Sequence, residues 1–176
     1  MKKTQAIINV ESAVVEVHSK TLFERVSDYL TEKDWGFNSY EEKTYFTLNL
    51  RLTSGTVRVV IDIAESSPWA RILVYATYPT FVPPHRRVEV IDAINRINYS
   101  LLAGCLEMDA KDGEVRARMM LESDTFVSEQ MIDRAMRRCL DLAEQYQAPL
   151  LAIAFGNAAA HDVLELGERA EDVTLQ

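Results

Sequence analysis

Apolar residues along the chain follow two spacings, the three-to-four-residue period of a helix and the two-residue period of a strand. Thr21 and Glu24 have the spacing of a capping box, and apolar side chains recur at helical intervals after them. This pattern predicts a first helix that ends before Trp35. From Tyr45 onward the period changes to two, which predicts strands.

Two alternating segments on either side of Ser54-Gly55 predict a β-hairpin. A two-residue turn there places Thr53 opposite Thr56 and collects the apolar residues of both strands on one buried face. These residues are Phe46, Leu48, Leu50 and Leu52 on the first strand and Val57, Val59, Ile61 and Ile63 on the second.

The same register predicts that Arg51 stands directly opposite Arg58 on the outer face. Like charges in that arrangement destabilise a strand pair. The favoured interpretation is that a carboxylate such as Asp62 offsets both charges, or that the side chains extend into water. The alternative is a patch that faces an anion or an acidic peptide.

A third strand is predicted from Arg71 to Tyr78, and a second helix from about His85 to Leu102. The apolar residues of this helix cover nearly half of its circumference, which is wider than one contact with a sheet requires. The excess width predicts contact with another subunit. The predicted dimer interface is Val88, Ile91, Ile97 and Leu102.

Asp112-Gly113 predicts the turn of a second hairpin, with Asp109 opposite Arg116 and Glu107 opposite Arg118. An amphipathic stripe then predicts a long helix that Pro149 breaks or restarts, with a short further helix allowed after it. Residues 1–18 are readable as a docking arm or an added strand. Residues 158–176 are expected to form an acidic, frayed tail.

Composition indicates a globular, water-soluble protein, with 48% apolar and 26% charged residues. The formal net charge of −8 and pI of about 4.9 disfavour direct nucleic-acid binding. No apolar run has the length of a membrane span. Cys105 and Cys139 are interpreted as reduced thiols, and the cytoplasm is the expected compartment.

Residue spacings characteristic of catalysis or of cofactor binding are not found in the sequence. The six glycines do not form a phosphate-binding pattern, and His18, His85 and His161 have no partner at metal-ligand spacing. Cys139 lies on the apolar stripe of a helix, where a thiol is normally a packing group. We therefore predict no catalytic residue, no cofactor and no metal, so that the protein is not an enzyme.

Three segments carry a resemblance to a known family: INRINYSLLAG, CLEMDAKDGEVRARMMLES and MIDRAMRRCLDLAEQYQAPLLAIAFGN. Together with the element order α-β-β-β-α-β-β-α they resemble the YbjN branch of the type III secretion chaperone-like fold. The resemblance covers about residues 20 to 157, and we assign residues 19–157 to a YbjN-like domain. It implies an α+β fold in which an antiparallel five-stranded sheet packs with helices.

The resemblance also implies a homodimeric, non-enzymatic bacterial regulator or chaperone-like adaptor. The leading hypothesis is an adaptor that binds a segment of a protein partner, with the binding residues expected at Phe23, Tyr29, Trp35, Arg51 and Arg58. Core packing is the favoured interpretation of the three aromatic residues taken alone.

Two alternatives stay open at this point. One is a stress or signalling regulator that contacts single-stranded nucleic acid, or a nucleic-acid-binding protein, through the region of Arg51, Arg58 and Arg71. The other is an enzyme of unrecognised type, which a deep pocket with convergent polar groups would reveal.

Overall fold

The computed structural model describes residues 20–66 and 68–174, and within them one antiparallel sheet of six strands packs with four α-helices. The strands are β1 (Phe37–Tyr40), β2 (Tyr45–Arg51), β3 (Thr56–Ser66), β4 (Trp69–Phe81), β5 (Cys105–Met108) and β6 (Glu114–Ser123). The helices are α1 (Leu22–Glu32), α2 (Arg87–Ser100), α3 (Glu129–Phe155) and α4 (Val163–Thr174). The strand order is β1-β2-β3-β4-β6-β5. The predicted arm at residues 1–18 lies outside the described residues.

Strand β1 was not predicted from the sequence, and it brings the number of strands in the sheet to six. It contains four residues, and it pairs with β2 through Phe37 opposite Leu48 and Tyr40 opposite Tyr45. Only Phe37 is even partly buried, so the segment lacks the apolar alternation that identifies a longer strand. The predicted five-stranded sheet is therefore corrected to six strands, while the α+β class and the antiparallel pairing are confirmed.

Helix α1 begins at the predicted capping box. The Thr21 hydroxyl accepts a hydrogen bond from the backbone N–H of Glu24 at 3.2 Å, and the Thr21 N–H donates to the Glu24 carboxylate at 2.7 Å. These bonds satisfy two backbone groups that a helix leaves unpaired at its start. The cap positions Val26 and Leu30 against the sheet, where both are buried.

The first hairpin, β2–β3, has a register two residues away from the predicted one. Arg51 lies opposite Thr56, and Arg58 lies opposite Asn49. The predicted direct pairing of Arg51 with Arg58 is therefore wrong. A long-range contact explains the difference, because the carboxylate of Glu144 on α3 accepts the N–H groups of residues 53 and 54 at 2.9 and 2.6 Å. It holds the turn at these two residues, which the bond from the Leu52 N–H to the Gly55 carbonyl at 2.7 Å closes, one residue before the predicted turn.

The second hairpin, β5–β6, is displaced by the same amount. Glu107 lies opposite Arg116, so the predicted pairing of Asp109 with Arg116 is wrong. The guanidinium of Arg87 on α2 donates to the carbonyls of residues 110–112 and fixes a longer loop. A shift of two residues leaves each side chain on its predicted face, because the side-chain period of a strand is also two.

Helices cover one face of the sheet. On that face the Tyr78 hydroxyl donates to the carbonyl of Ala143 at 3.0 Å, and the Cys139 thiol lies 3.5 Å from the carbonyl of Val74. Helix α1 packs against β3, α3 packs against β4 and β6, and α2 and α4 pack against α3. The buried sheet residues include Phe46, Leu48, Val59, Ile61, Ile72, Val74, Ala76, Ala117 and Met119.

Two predictions near the C-terminus are corrected. Helix α3 runs without a break through Pro149, and the buried residues Leu150 and Ile153 beyond it keep the helix packed on the core. The predicted frayed tail contains α4, whose Gly167 approaches Tyr146 so closely that an added Cβ would lie 2.6 Å from the ring. Within the described residues, no helix has the length and apolarity needed to cross a membrane.

Candidate functional site

The uncovered side of the sheet is the most distinctive surface of the described chain, and we call it the open face. It carries the outward residues of β2 to β6, and each of them is half-buried or exposed. Its apolar and aromatic members include Tyr45, Val60, Leu73, Tyr75 and Met120. Its charged members include Arg58, Asp62, Arg71, Glu107, Arg116 and Arg118.

A shallow groove crosses the open face over β2, β3 and β4. Tyr45 and Tyr75 border it together with Arg58, Asp62 and Arg71. Aromatic and arginine side chains are enriched at protein interfaces, because both combine a large contact area with polar groups. The groove has the composition of a binding surface more than that of a solvated sheet face.

The arginines of the open face outnumber the carboxylates that neutralise them. Arg71 forms an ion pair with Asp62 at 2.8 Å, whereas Arg116 and Arg118 share the single carboxylate of Glu107 at 2.9 Å each. Arg58 forms no ion pair with any residue in the described ranges. The centre of the face is therefore locally positive on a chain whose formal net charge is −8.

Aromatic rings give the open face rigid elements. The guanidinium of Arg116 lies 4.3 Å from the centroid of the Tyr75 ring, a cation–π geometry that orients both side chains. At the β1 edge the rings of Tyr40 and Tyr45 stack with centroids 4.5 Å apart. Held in these positions, the rings lose little conformational entropy when they contact a partner.

The predicted partner-binding residues do not form one site. Arg51 and Arg58 lie on the open face, whereas Phe23, Tyr29 and Trp35 lie on the covered side. Tyr29 is only 1% exposed and belongs to the core, so its predicted role in partner binding is corrected. Phe23 and Trp35 are half-buried aromatic neighbours of that core.

The hydroxyl of Tyr29 takes part in a polar link between α1 and α3. Asp133 accepts a hydrogen bond from this hydroxyl at 3.0 Å, and it pairs with Lys33 at 3.1 Å and with Arg137 at 2.6 Å. The hydrogen bond from Arg137 and those from Lys33 and Tyr29 lower the pKa of Asp133 from 3.8 to about 2. This carboxylate is fully ionised at neutral pH, and it joins two helices.

A second exposed apolar surface lies along α2, and we call it the α2 stripe. Its residues are Val88, Ile91 and Tyr99 at helical spacing on α2, and Leu102 just beyond the end of the helix. Ile97 was also predicted at the dimer interface, but it is 0% exposed and belongs to the core of the subunit. That part of the prediction is corrected, while Val88, Ile91 and Leu102 are exposed as an interface requires.

The two thiols occupy opposite environments. Cys105 is half-buried on the open face, whereas Cys139 is completely buried on the side of α3 that faces the sheet. Burial raises the pKa of Cys139 to about 12, so this thiol is protonated at neutral pH and is a packing group. In the described parts of the chain, no three His, Cys, Asp or Glu side chains cluster in a way that could hold a metal.

Comparison with known proteins adds the family. Residues 23–152, from α1 to near the end of α3, match the family model of YbjN, which is described as "Putative bacterial sensory transduction regulator". This chain belongs to the YbjN family. The YbjN resemblance seen in the sequence is thereby confirmed, and α4 lies beyond the matched region.

A solved structure supports the fold of this YbjN-family chain. It is similar to the "Crystal structure of YbjN, a putative transcription regulator from E. coli", with 17% sequence identity and a TM-score of 0.50. The match covers 80% of this chain and 93% of that chain. Among curated proteins, no significant match was found.

The sequence predicted Arg51, Arg58 and Arg71 as candidate binding residues of the open face, but not the rest of that surface. Arg116 and Arg118 were predicted only as members of cross-strand pairs in the second hairpin, and Tyr75 only as part of the third strand. The available signal was the recurrence of arginine at alternate positions of β6, which puts both side chains on the face that the apolar residues avoid.

Proposed function

We propose that this YbjN-family protein is a non-enzymatic, dimeric regulatory adaptor that binds a segment of a partner protein on the open face. One observation carries the proposal: among residues 20–66 and 68–174, the helices cover one face of the sheet, and the other face presents aromatic, aliphatic and arginine side chains. Exposed surfaces of that composition are typical of interaction sites. The family's description as a regulator is consistent with binding rather than catalysis.

The α2 stripe supports the dimeric part of the proposal. Val88 is 81% exposed and Leu102 is 105% exposed, although both are large apolar side chains. Two copies related by a two-fold axis would bury each other's stripe, because such an interface uses the same patch on both subunits. The open faces would then stay available for partners.

The element order also underlies our proposal that the chain has the type III secretion chaperone-like fold. Secretion chaperones of that fold use the sheet and the first helix to hold a non-globular stretch of a client protein. We place the adaptor in the cytoplasm, where the free thiols Cys105 and Cys139 would stay reduced.

Light scattering of the full chain at micromolar concentration tests the dimer. We expect about twice 20.0 kDa for the natural sequence. Tyr99→Asp places a charge within the α2 stripe and is expected to yield monomers, whereas Lys111→Asp, in the exposed β5–β6 loop, is expected to leave the dimer intact. A monomeric natural protein would contradict this part of the proposal.

Site-specific photo-cross-linking in bacterial cells tests partner binding. We would place p-benzoylphenylalanine at Thr47 on the open face and, as a control, at Lys111. The adaptor function predicts a cross-link from position 47 to a second, different protein and none from position 111. Cross-links only between copies of this chain would overturn it.

A second candidate function is regulation through single-stranded nucleic acid. The combination of Tyr75 with Arg116 and Arg118 on a sheet surface favours it, because such surfaces stack bases and attract phosphates. The acidic side chains Asp62 and Glu107 within the same surface oppose it. Filter binding at low ionic strength tests this candidate, and absence of retained single-stranded DNA would exclude it.

A further inference from the structure

We infer that the partner segment held by the open face is acidic, with apolar or aromatic side chains between its carboxylates. The inference rests on the proposed function and names the chemistry of the partner. It follows from the positions of three arginines, Arg58, Arg116 and Arg118, relative to the aromatic and aliphatic residues around them.

Two neighbouring rows of residues cross the sheet from β3 to β6. Arginines occupy both ends of the first row and the β6 end of the second. Arg58 on β3 and Arg116 on β6 are both cross-strand neighbours of Thr77 on β4. Adjacent strands lie about 5 Å apart, so the Cα atoms of the two arginines are separated by roughly 10 Å. The short Thr77 side chain between them leaves space in which a carboxylate can accept hydrogen bonds from either guanidinium.

The next row supplies the apolar contact. Val60 on β3 and Arg118 on β6 are both neighbours of Tyr75 on β4. One row along, Leu73 lies between Asp62 and Met120, and Met120 is 54% exposed. A partner whose carboxylates reach the Arg58–Arg116 row can therefore bury an apolar side chain against Tyr75 and Leu73.

Charge complementarity indicates that the partner segment is negatively charged. Arg58 has no carboxylate partner in the described part of the chain, and Glu107 serves both Arg116 and Arg118. The guanidinium groups of these arginines therefore have N–H donors that an incoming carboxylate can bind. A basic segment would instead meet these arginines at short range, and like-charge contact at an interface costs several kcal/mol.

The same arrangement disfavours a nucleic-acid strand. Asp62 lies between Arg58 and Arg71 along β3 and β4, and Glu107 lies beside Arg116. A uniformly charged phosphate backbone cannot avoid these carboxylates, and the chain as a whole has a formal charge of −8. A protein segment can place a few carboxylates at the arginines and neutral side chains elsewhere.

Fluorescence anisotropy with the full chain tests the inference. The probe is a fluorescein-labelled peptide of aspartate and glutamate with leucine and tyrosine between them, and its counterpart carries asparagine and glutamine instead of the acids. We expect the acidic peptide to bind at least about tenfold more tightly than its counterpart, with affinity falling as salt rises.

Matched variants locate the binding. Arg58→Glu is expected to weaken binding of the acidic peptide at least about tenfold, and Arg58→Lys is expected to retain most of it. Arg134→Glu is the control, because it makes the same change of net charge at an exposed position on α3, away from the open face. Equal weakening by Arg58→Glu and Arg134→Glu would mean that bulk charge alone acts, and would overturn the inference.

Two further outcomes also overturn it. The first is equal affinity for the acidic peptide and its neutral counterpart. The second is displacement of the probe by an oligothymidine strand at lower concentration than by unlabelled acidic peptide, which would identify nucleic acid as the ligand. If position 47 cross-links a partner protein in cells while the acidic peptide fails to bind, the adaptor function stands and only the acidic chemistry fails.

Discussion

The two faces of the sheet differ although the same strands form both. In β4, Ile72 is 1% exposed beneath the helices, whereas its neighbour Leu73 points to the open face and is half-buried. The covered face carries almost only apolar side chains, and the open face mixes them with arginines and carboxylates. The difference indicates that one face supplies the free energy of folding and leaves the other free to vary for recognition.

The largest expected effect on stability comes from truncating Ile72, and the comparison is with truncation of its neighbour Leu73. Ile72→Ala creates a cavity in the core and is expected to lower the free energy of unfolding by about 2–5 kcal/mol. Leu73→Ala removes a partly solvated side chain and is expected to cost about 1 kcal/mol or less. Urea unfolding of both variants measures the two losses of free energy. Equal losses would show that the open face is as buried as the covered one.

A smaller effect is expected at the turn below the open face. Gly113 has φ of +89°, and an added Cβ would lie 2.3 Å from the carbonyl oxygen of Val82. Gly113→Ala is therefore expected to lower the free energy of unfolding by more than about 1 kcal/mol. Gly36→Ala is the control, since nothing lies within 4 Å of its added Cβ. Similar stability of the two variants in thermal unfolding would contradict the loop geometry.

The polar link on the covered side predicts a dependence on pH. The pKa of Asp133 falls from 3.8 to about 2 in the folded chain, so the link contributes stability above the unfolded pKa. That contribution, about 1 kcal/mol or less near the surface, is lost as the pH falls through the folded pKa of about 2. Asp133→Asn should differ from the natural protein at pH 6 and converge with it near pH 2. A constant difference in denaturant midpoint over this range would be inconsistent with the link.

The smallest expected effect on stability is at Arg58. Because this side chain is exposed and forms no ion pair in the described ranges, Arg58→Gln should change the free energy of unfolding by less than about 0.5 kcal/mol. Chemical denaturation and peptide binding, measured on the same variant, check that Arg58 affects binding and not stability. A large loss of stability would mean that Arg58 serves the fold, and its effect on binding would then need another explanation.

The sequence predicts the faces of the strands but not their register. Alternation assigns Ile61 and Arg58 to opposite sides of β3 correctly, because the assignment needs only local spacing. The register depends on Glu144 and Arg87, which hold the hairpin loops from other elements. Contacts of that kind are set by the tertiary fold. They move the first turn from Ser54-Gly55 to residues 53–54, and they replace the two-residue turn at Asp112-Gly113 with a loop of residues 110–113.

The candidate site was predictable only in part for the same reason. Arg58 was a predicted binding residue because the expected register set it opposite Arg51. In the structure it lies instead in one row with Arg116, with β4 as the one strand between them. The order β3-β4-β6 brings these arginines together, and local spacing does not contain that order. Helix α4 was missed because its sequence is strongly charged, and its packing on Tyr146 is also long-range.

Methyl NMR of the full chain, titrated with the acidic peptide, tests the central claim most directly. Neighbouring residues provide the contrast, since Val60, Leu73 and Met120 lie on the open face whereas Val59, Ile72 and Met119 lie on the covered face. We predict saturable shifts of the first three methyl resonances and small changes in the second three. Shifts confined to the covered-face methyls, or to Val88, Ile91 and Leu102 of the α2 stripe, would contradict the assignment of the open face as the partner-binding surface.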